Sequence, residues 1–217
     1  MHKSLFIAAL CAFTWVAQAQ TTPNEKFLRA MEKALSGMDT LKTPEQWLSA
    51  SNNFERIAQK EPKEWLPAYY VALSQTMIYN TSKESSQYEA LAKKAEAYIN
   101  KADSLQPDNS EVYVLRSMVS GLYIRLNPMA NGMKYGPLAA MQLEKAKSLD
   151  PENPRVYMQE GITAYMTPAQ WGGDKEKGKK LMEMAAAKFE TFKPASPLHP
   201  RWGKNANTMF LEMAKKG

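Results

Sequence analysis

The chain has 217 residues, 44% of them hydrophobic and 23% charged, a balance that excludes collagen-like, disordered and disulfide-scaffold proteins. Its formal net charge of +6 is too small and too dispersed for nucleic acid to be the expected partner. One cysteine and two histidines leave little material for thiol, imidazole or metal chemistry.

The chain begins with the features of a targeting segment. His2 and Lys3 precede an uncharged run over residues 5–16, and Ala17-Gln18-Ala19 supplies the small-x-small pattern that signal peptidase reads before Gln20. The run is short of the ~20 residues a membrane-spanning helix needs. Cys11 follows Leu10, where a lipoprotein signal wants a small residue, so lipid anchoring is not expected. The expectation is cleavage near Ala19-Gln20, export to the periplasm or beyond, and a single cysteine-free domain over residues 20–217.

Past residue 19 apolar residues recur at three and four, as in Phe27, Ala30, Met31, Leu35 and again Tyr113, Leu115, Met118, Leu122, and strand alternation is absent. The predicted helices, in chain order, cover 23–37, 44–60, 65–79, 86–105, 110–126, 137–149, 154–166, 175–192 and 200–215. Proline marks many of their boundaries. Pro23, Pro44, Pro67, Pro137, Pro154, Pro168 and Pro200 suit first turns, where a missing N–H costs nothing. Thr22 with Glu25 and Thr43 with Gln46 fit reciprocal capping boxes, and Ser110 and Asn153 are expected caps. Pro62, Pro107, Pro151 and Pro194 close helices, while Pro128 and Pro197 fall in loops.

The closing prolines recur at intervals of 45, 44 and 43 residues. Upstream of each lies the same spacing: Ala50-x3-Phe54-x2-Ile57-x4-Pro62, Ala95-x3-Ile99-x2-Ala102-x4-Pro107, Ala139-x3-Leu143-x2-Ala146-x4-Pro151 and, with altered sizes, Met182-x3-Ala186-x2-Phe189-x4-Pro194. Downstream, Tyr113 with Ser117 and Tyr157 with Gly161 set a large residue four before a small one, so that helices approach closely and their grooves are filled.

These motifs resemble the tetratricopeptide repeat, whose second helix carries A-x3-F-x2-A-x4-P, although that family's period is about 34 residues and the longer unit here places about ten more between the paired helices. Glu64-Trp65-Leu66-Pro67, Asn153-Pro154-Arg155-Val156-Tyr157, Trp171-Gly172-Gly173 and Phe192-Lys193-Pro194 are also similar to small exported repeat proteins of Bacteroidota. The resemblance implies an all-α, right-handed α-solenoid of about four helix pairs plus a C-terminal capping helix, monomeric or weakly self-associating. HEAT-type repeats come nearer in period but leave the alanine-proline spacing unexplained.

Candidate catalytic chemistry is sparse, and no cofactor, metal or enzymatic activity is expected. His199, just before Pro200, reads as an exposed helix cap, and Glu144, Glu152, Glu160 and Glu183 as scattered surface carboxylates. Gly173, Gly178 and Lys179 reproduce a phosphate-loop spacing, but Lys180 stands where Ser or Thr should bind magnesium and no buried strand precedes.

Binding is the better-supported reading. By analogy with the repeat family, the first helices form an inner wall presenting Tyr70, Met77, Val114, Met118, Met158, Ile162 and Tyr165, with Arg155 nearby; packing between helices is the alternative for each. The glycine-rich connections 127–136 and 167–174 carry Met129, Met133, Tyr135 and Trp171. Long apolar loops either fold back to plug the helix ends, the favoured alternative, or form an exposed binding edge. The expected function is non-catalytic protein or peptide binding in the cell envelope. The alternatives are an accessory protein that binds a small ligand or lipid, and an enzyme whose carboxylates converge only in the fold.

Overall fold

A computed structural model describes residues 25–216; the proposed leader and the Thr22 capping box lie outside the described residues. Those residues form nine α-helices and three single-turn 3-10 segments, with no strand among them. The helices are α1 (Glu25–Leu35), α2 (Pro44–Lys60), α3 (Trp65–Thr81), α4 (Tyr88–Leu105), α5 (Ser110–Leu126), α6 (Pro128–Leu149), α7 (Pro154–Met166), α8 (Lys175–Thr191) and α9 (Lys204–Lys216). The all-α class expected from the periodicity is therefore present.

Local chemistry accounts for most boundaries. Thr43 and Gln46 form the reciprocal capping box at the start of α2, with Pro44 in its first turn, and Asn153 and Asp174 accept backbone N–H groups at the starts of α7 and α8. Three expectations need correction. Asn109, rather than Ser110, caps α5, and Ser110 instead donates to the Ala146 carbonyl at 2.9 Å. The stretch 127–136 is helical: Asn127 accepts from the Ala130 N–H, Pro128 occupies the first turn, and α6 runs on through Pro137. Proline in a helix interior removes one backbone bond, and packing of α6 along α5 holds the turn in place. The last helix starts at Lys204, not at 200, because residues 193–203 form an irregular strap.

The principal helix contacts are α2 with α3, α3 with α4, α5 with α6, and α7 with α8; α3 also touches α5, and α5 touches α7. Four hydrogen bonds link residues 43 positions apart. Tyr79 Oη donates to Leu122 O (3.3 Å), Asn153 Nδ2 to Ser110 Oγ (3.0 Å), Tyr98 Oη to Glu55 (2.7 Å) and Lys101 Nζ to Ala58 O (3.4 Å). Like ends of α3 and α5, of α5 and α7, and of α2 and α4 thus lie together, so the 43–45-residue period in sequence is also a spatial register.

The small positions of the motif sit where helices cross. Ala95, Ala102 and Ala146 are fully buried. At the α7–α8 crossing, a Cβ on Gly161 would lie 2.9 Å from Gly178 O, and one on Gly178 would lie 2.7 Å from Tyr165 N and 2.8 Å from Gly161 O. Gly178 is therefore a backbone-contact residue, which gives the phosphate-loop look-alike a packing explanation. Two apolar clusters result, one around α2–α5 and one around α5–α8, with Met118 and Trp202 packed against both.

Candidate functional site

The predicted inner wall is covered. Fourteen of the seventeen residues of α3 are buried, and the strap lies across its end and across α7. Tyr70 Oη donates to Leu198 O at 2.8 Å, and Trp202 Nε1 donates to Tyr69 Oη at 2.9 Å. His199 stacks edge-on against Trp65, with ring centres 5.6 Å apart. Arg155, wholly buried, donates to Glu111 Oε1 at 2.9 Å and to Pro200 O at 2.7 Å, with the rings of Phe192 and Trp202 at 4.7 and 5.2 Å. Asn153 Nδ2 donates to both Ser110 and Glu111. Burial pushes the Glu111 carboxyl above the usual carboxylate range, Arg155 pulls it back, and Asp150 adds to the rise. Burial likewise pushes the phenols of Tyr69 and Tyr70 well up, so both remain neutral donors or acceptors.

The predicted wall residues thus fall into two groups. Tyr70, Val114, Arg155 and Met158 are buried, and Met77, Met118, Ile162 and Tyr165 are half-buried. None of the buried four presents a free face to solvent: a segment distant in sequence covers Tyr70, Arg155 and Met158, and Val114 is buried in the cluster around α5–α8. His199, expected as an exposed cap, is half-buried; its Nδ1 lies 2.7 Å from Ser196 Oγ, and burial pushes its imidazole down. It lines a cleft of about 130 Å³ with Leu35, Met38, Tyr70, Arg201 and Trp202. Among the described residues no group of three or more His, Cys, Asp or Glu side chains could hold a metal ion. Of the scattered carboxylates, Glu152 pairs with Lys188 and Glu160 with Lys147.

The two apolar connections take different courses. Tyr135 folds back and stacks on Tyr123 at 4.7 Å with 9° between the rings. Trp171 remains 64% exposed, Met129 77% and Met133 87%, and Met166 at the end of α7 is also exposed. The alternative in which these side chains all plug the helix ends is therefore corrected, since only Tyr135 behaves that way. Because α5 and α7 start side by side, their far ends, the first turns of α6 and the connection to α8 share one edge of the molecule. Lys134, Lys175, Lys177 and Lys180 are exposed along it, with Lys175 5.5 Å from the Tyr165 ring.

No protein-family model matches the chain, and no curated protein matches it. Among solved structures it is similar to the HusA haemophore from Porphyromonas gingivalis, with 28% sequence identity and a TM-score of 0.77. The similarity covers 88% of this chain and 93% of that one, so it spans most of both chains rather than a single motif.

A second concavity, about 110 Å³, lies between α4 and α6 on a floor of α5. Tyr123, Tyr135, Leu138 and Gln142 belong to it, and of these only Tyr135 stands out in the sequence. Ser120 and Gln142 could have been flagged only as polar residues on the apolar faces of their helices, a signal that does not separate a site from a buried structural bond.

Proposed function

We propose that the chain is an exported, non-catalytic binding protein that captures a flat, apolar, anionic ligand of the haem class at the edge formed by Met129, Met133, Met166 and Trp171. The likeness to a haemophore over nearly the full length of both chains carries this reading, and the chemistry of the edge supports it. Methionine supplies seven of the nine exposed large hydrophobic side chains among the described residues; its flexible thioether conforms to whatever apolar surface it meets. Trp171 offers a ring for stacking, and the neighbouring lysines suit the carboxylates of such a ligand.

Size argues for an open edge. Enclosed small-molecule sites occupy roughly 300–1,000 Å³, whereas the two concavities measure about 130 and 110 Å³. Peptide capture on the inner wall would also require the strap to leave its bonds to Tyr70 and Arg155, a step that edge binding does not need. In this reading the helix pairs are a tetratricopeptide-like right-handed solenoid, closed by α9, whose role is to hold the edge rigid.

The test is titration of the protein with haemin, followed by the Soret band and by quenching of Trp171. Wild type should saturate at one ligand per chain. Trp171→Ala combined with Met133→Ser should weaken binding at least tenfold while leaving thermal unfolding unchanged. Wild type that does not bind, or a double variant that binds equally well, would overturn the reading.

A further inference from the structure

The apolar side chains of the exposed edge are held outward by fixed backbone. Trp171 sits on a closed turn. Its N–H and that of Gly173 both donate to Pro168 O, at 2.9 and 3.2 Å, and the Asp174 N–H ties the turn back to Ala164 O of α7 at 2.9 Å. Gly172 has a φ of +87°, and a Cβ on Gly173 would fall 1.7 Å from Thr167 O, so this course of the chain needs both glycines. The indole therefore stands in solvent on a tight mount. The start of α6 is anchored as well. Asn131 Nδ2 donates to Tyr123 O at 2.7 Å and Tyr135 stacks on Tyr123, which pins one face of the helix to α5. Met129 and Met133, one helical turn apart, project from the opposite face.

The charge of the edge is unbalanced. Residues 127–136 and 166–180 carry five lysines, Lys134, Lys175, Lys177, Lys179 and Lys180, against two acids, Asp174 and Glu176. Among the described residues none of the five is in an ion pair, whereas Lys94, Lys145, Lys147, Lys188 and Lys204 elsewhere each have a carboxylate partner. The Asp174 carboxylate is spent on the Lys177 N–H at the start of α8.

We propose that this edge seats the protein on the surface of an anionic lipid bilayer, with Trp171, Met129, Met133 and Met166 at the headgroup boundary and the lysines over the phosphates. Tryptophan is favoured at that depth, methionine conforms to acyl chains, and lysine stems lie along apolar surface while their ammonium groups stay in water. A protein partner would need a pocket shaped to each projecting side chain; a bilayer needs none, and the surplus of unpaired cations selects an anionic one. No described helix is long and apolar enough to cross a membrane, so the contact is peripheral. The proposal stands on the exposure and charge of the edge and does not depend on the haem-class reading.

Co-sedimentation of the full chain with vesicles, in the absence of haemin, is the test. The vesicles are phosphatidylcholine alone and phosphatidylcholine with about one-third phosphatidylglycerol, in salt of about 0.1 and 0.5 M. At the lower salt wild type should bind the anionic vesicles about tenfold or more tightly than the neutral ones. Its tryptophan emission should shift to the blue on binding, and Trp171→Ala should abolish that shift. A lysine beside such a surface contributes about fivefold in affinity, so Lys177→Gln combined with Lys180→Gln should weaken binding about 25-fold and flatten its salt dependence. Lys60→Gln combined with Lys63→Gln removes the same charge beside the start of α3, at the opposite end of the helices, and should leave binding unchanged. Wild type that ignores anionic vesicles, binds both compositions equally, or loses as much through the remote lysines as through the edge pair would overturn the proposal. Haemin saturation without vesicle binding overturns the bilayer contact alone, and vesicle binding without haemin saturation overturns only the haem-class reading.

Discussion

Glycines on the helices divide into two physical classes, and exchanging each for alanine should have opposite effects. A Cβ at Gly132 or Gly136 of α6 would meet nothing within 4 Å, so only propensity acts there, and alanine should stabilise by about 0.5–1 kcal/mol. At Gly178 the same gain is opposed by a Cβ 2.7 Å from Tyr165 N and 2.8 Å from Gly161 O. Both obstacles are backbone and cannot rotate aside, so α7 and α8 must separate by close to an ångström along their main contact. Overpacking of this kind costs about 1–3 kcal/mol. The net expectation for Gly178→Ala is a loss of about 1–2 kcal/mol, or roughly 2–8 °C in melting temperature at ~2–4 °C per kcal/mol for a domain of this size. Gly161→Ala should lose a comparable amount, because its Cβ would meet Met182 Cγ at 2.7 Å and also the backbone atoms Gly178 O and Met182 N at 2.9 Å. Urea unfolding of the three variants gives the ranking. A Gly178→Ala protein as stable as Gly132→Ala would show that α7 and α8 do not cross in backbone contact.

Other expectations concern the interior and its charges. Replacing Ala146, fully buried at a crossing, with leucine should cost ~1–3 kcal/mol by overpacking, read as a lower urea midpoint with an unchanged slope. Arg155→Ala strips the partner from buried Glu111 and the donor from Pro200 O. Breaking such a pair costs about 3–5 kcal/mol, and hydrogen exchange should rise first in residues 198–203. Burial tends to raise the Glu55 carboxyl, but the bonds from Lys94 and Tyr98 outweigh it and hold it below its ordinary 4.5. Its contribution is therefore present above that value and lost as pH falls through the folded value, so Glu55→Gln should flatten the acid side of a stability profile. Glu111 has the opposite sign. With its folded value raised, its contribution is intact at acid pH and lost as pH climbs from 4.5 through the folded value, and Glu111→Gln should remove that decline.

Much of the helix map was legible because its determinants are local. The capping box at Thr43, the cap at Asn153 and the prolines that follow helices act over a few residues, and a single sequence displays them. The repeat was legible for a related reason. Ala95, Ala102 and Ala146 must be small wherever successive helices cross, so the constraint recurs at a fixed interval. The missed helical half of α6 shows where local signals end. Gly132, Gly136 and Pro137 all disfavour a helix, and only the length of α5 available for packing makes that stretch helical.

The candidate sites depended on tertiary structure for a different reason. Exposure belongs to the arrangement rather than to the residue: Tyr70 and Met158 look as available in the sequence as Met133 and Trp171. Yet the first two are covered by a strap 128 and about 40 residues away in the chain, and the latter two stand in solvent. The sequence alone determined most of the segments that coil and the interval at which small residues recur at helix crossings, since those depend on neighbours within a turn or on a periodic steric demand. Which faces remained uncovered followed from where residues 193–203 settled and where α4 and α6 failed to meet. Those contacts join residues with no local relation, so only the folded chain could fix them.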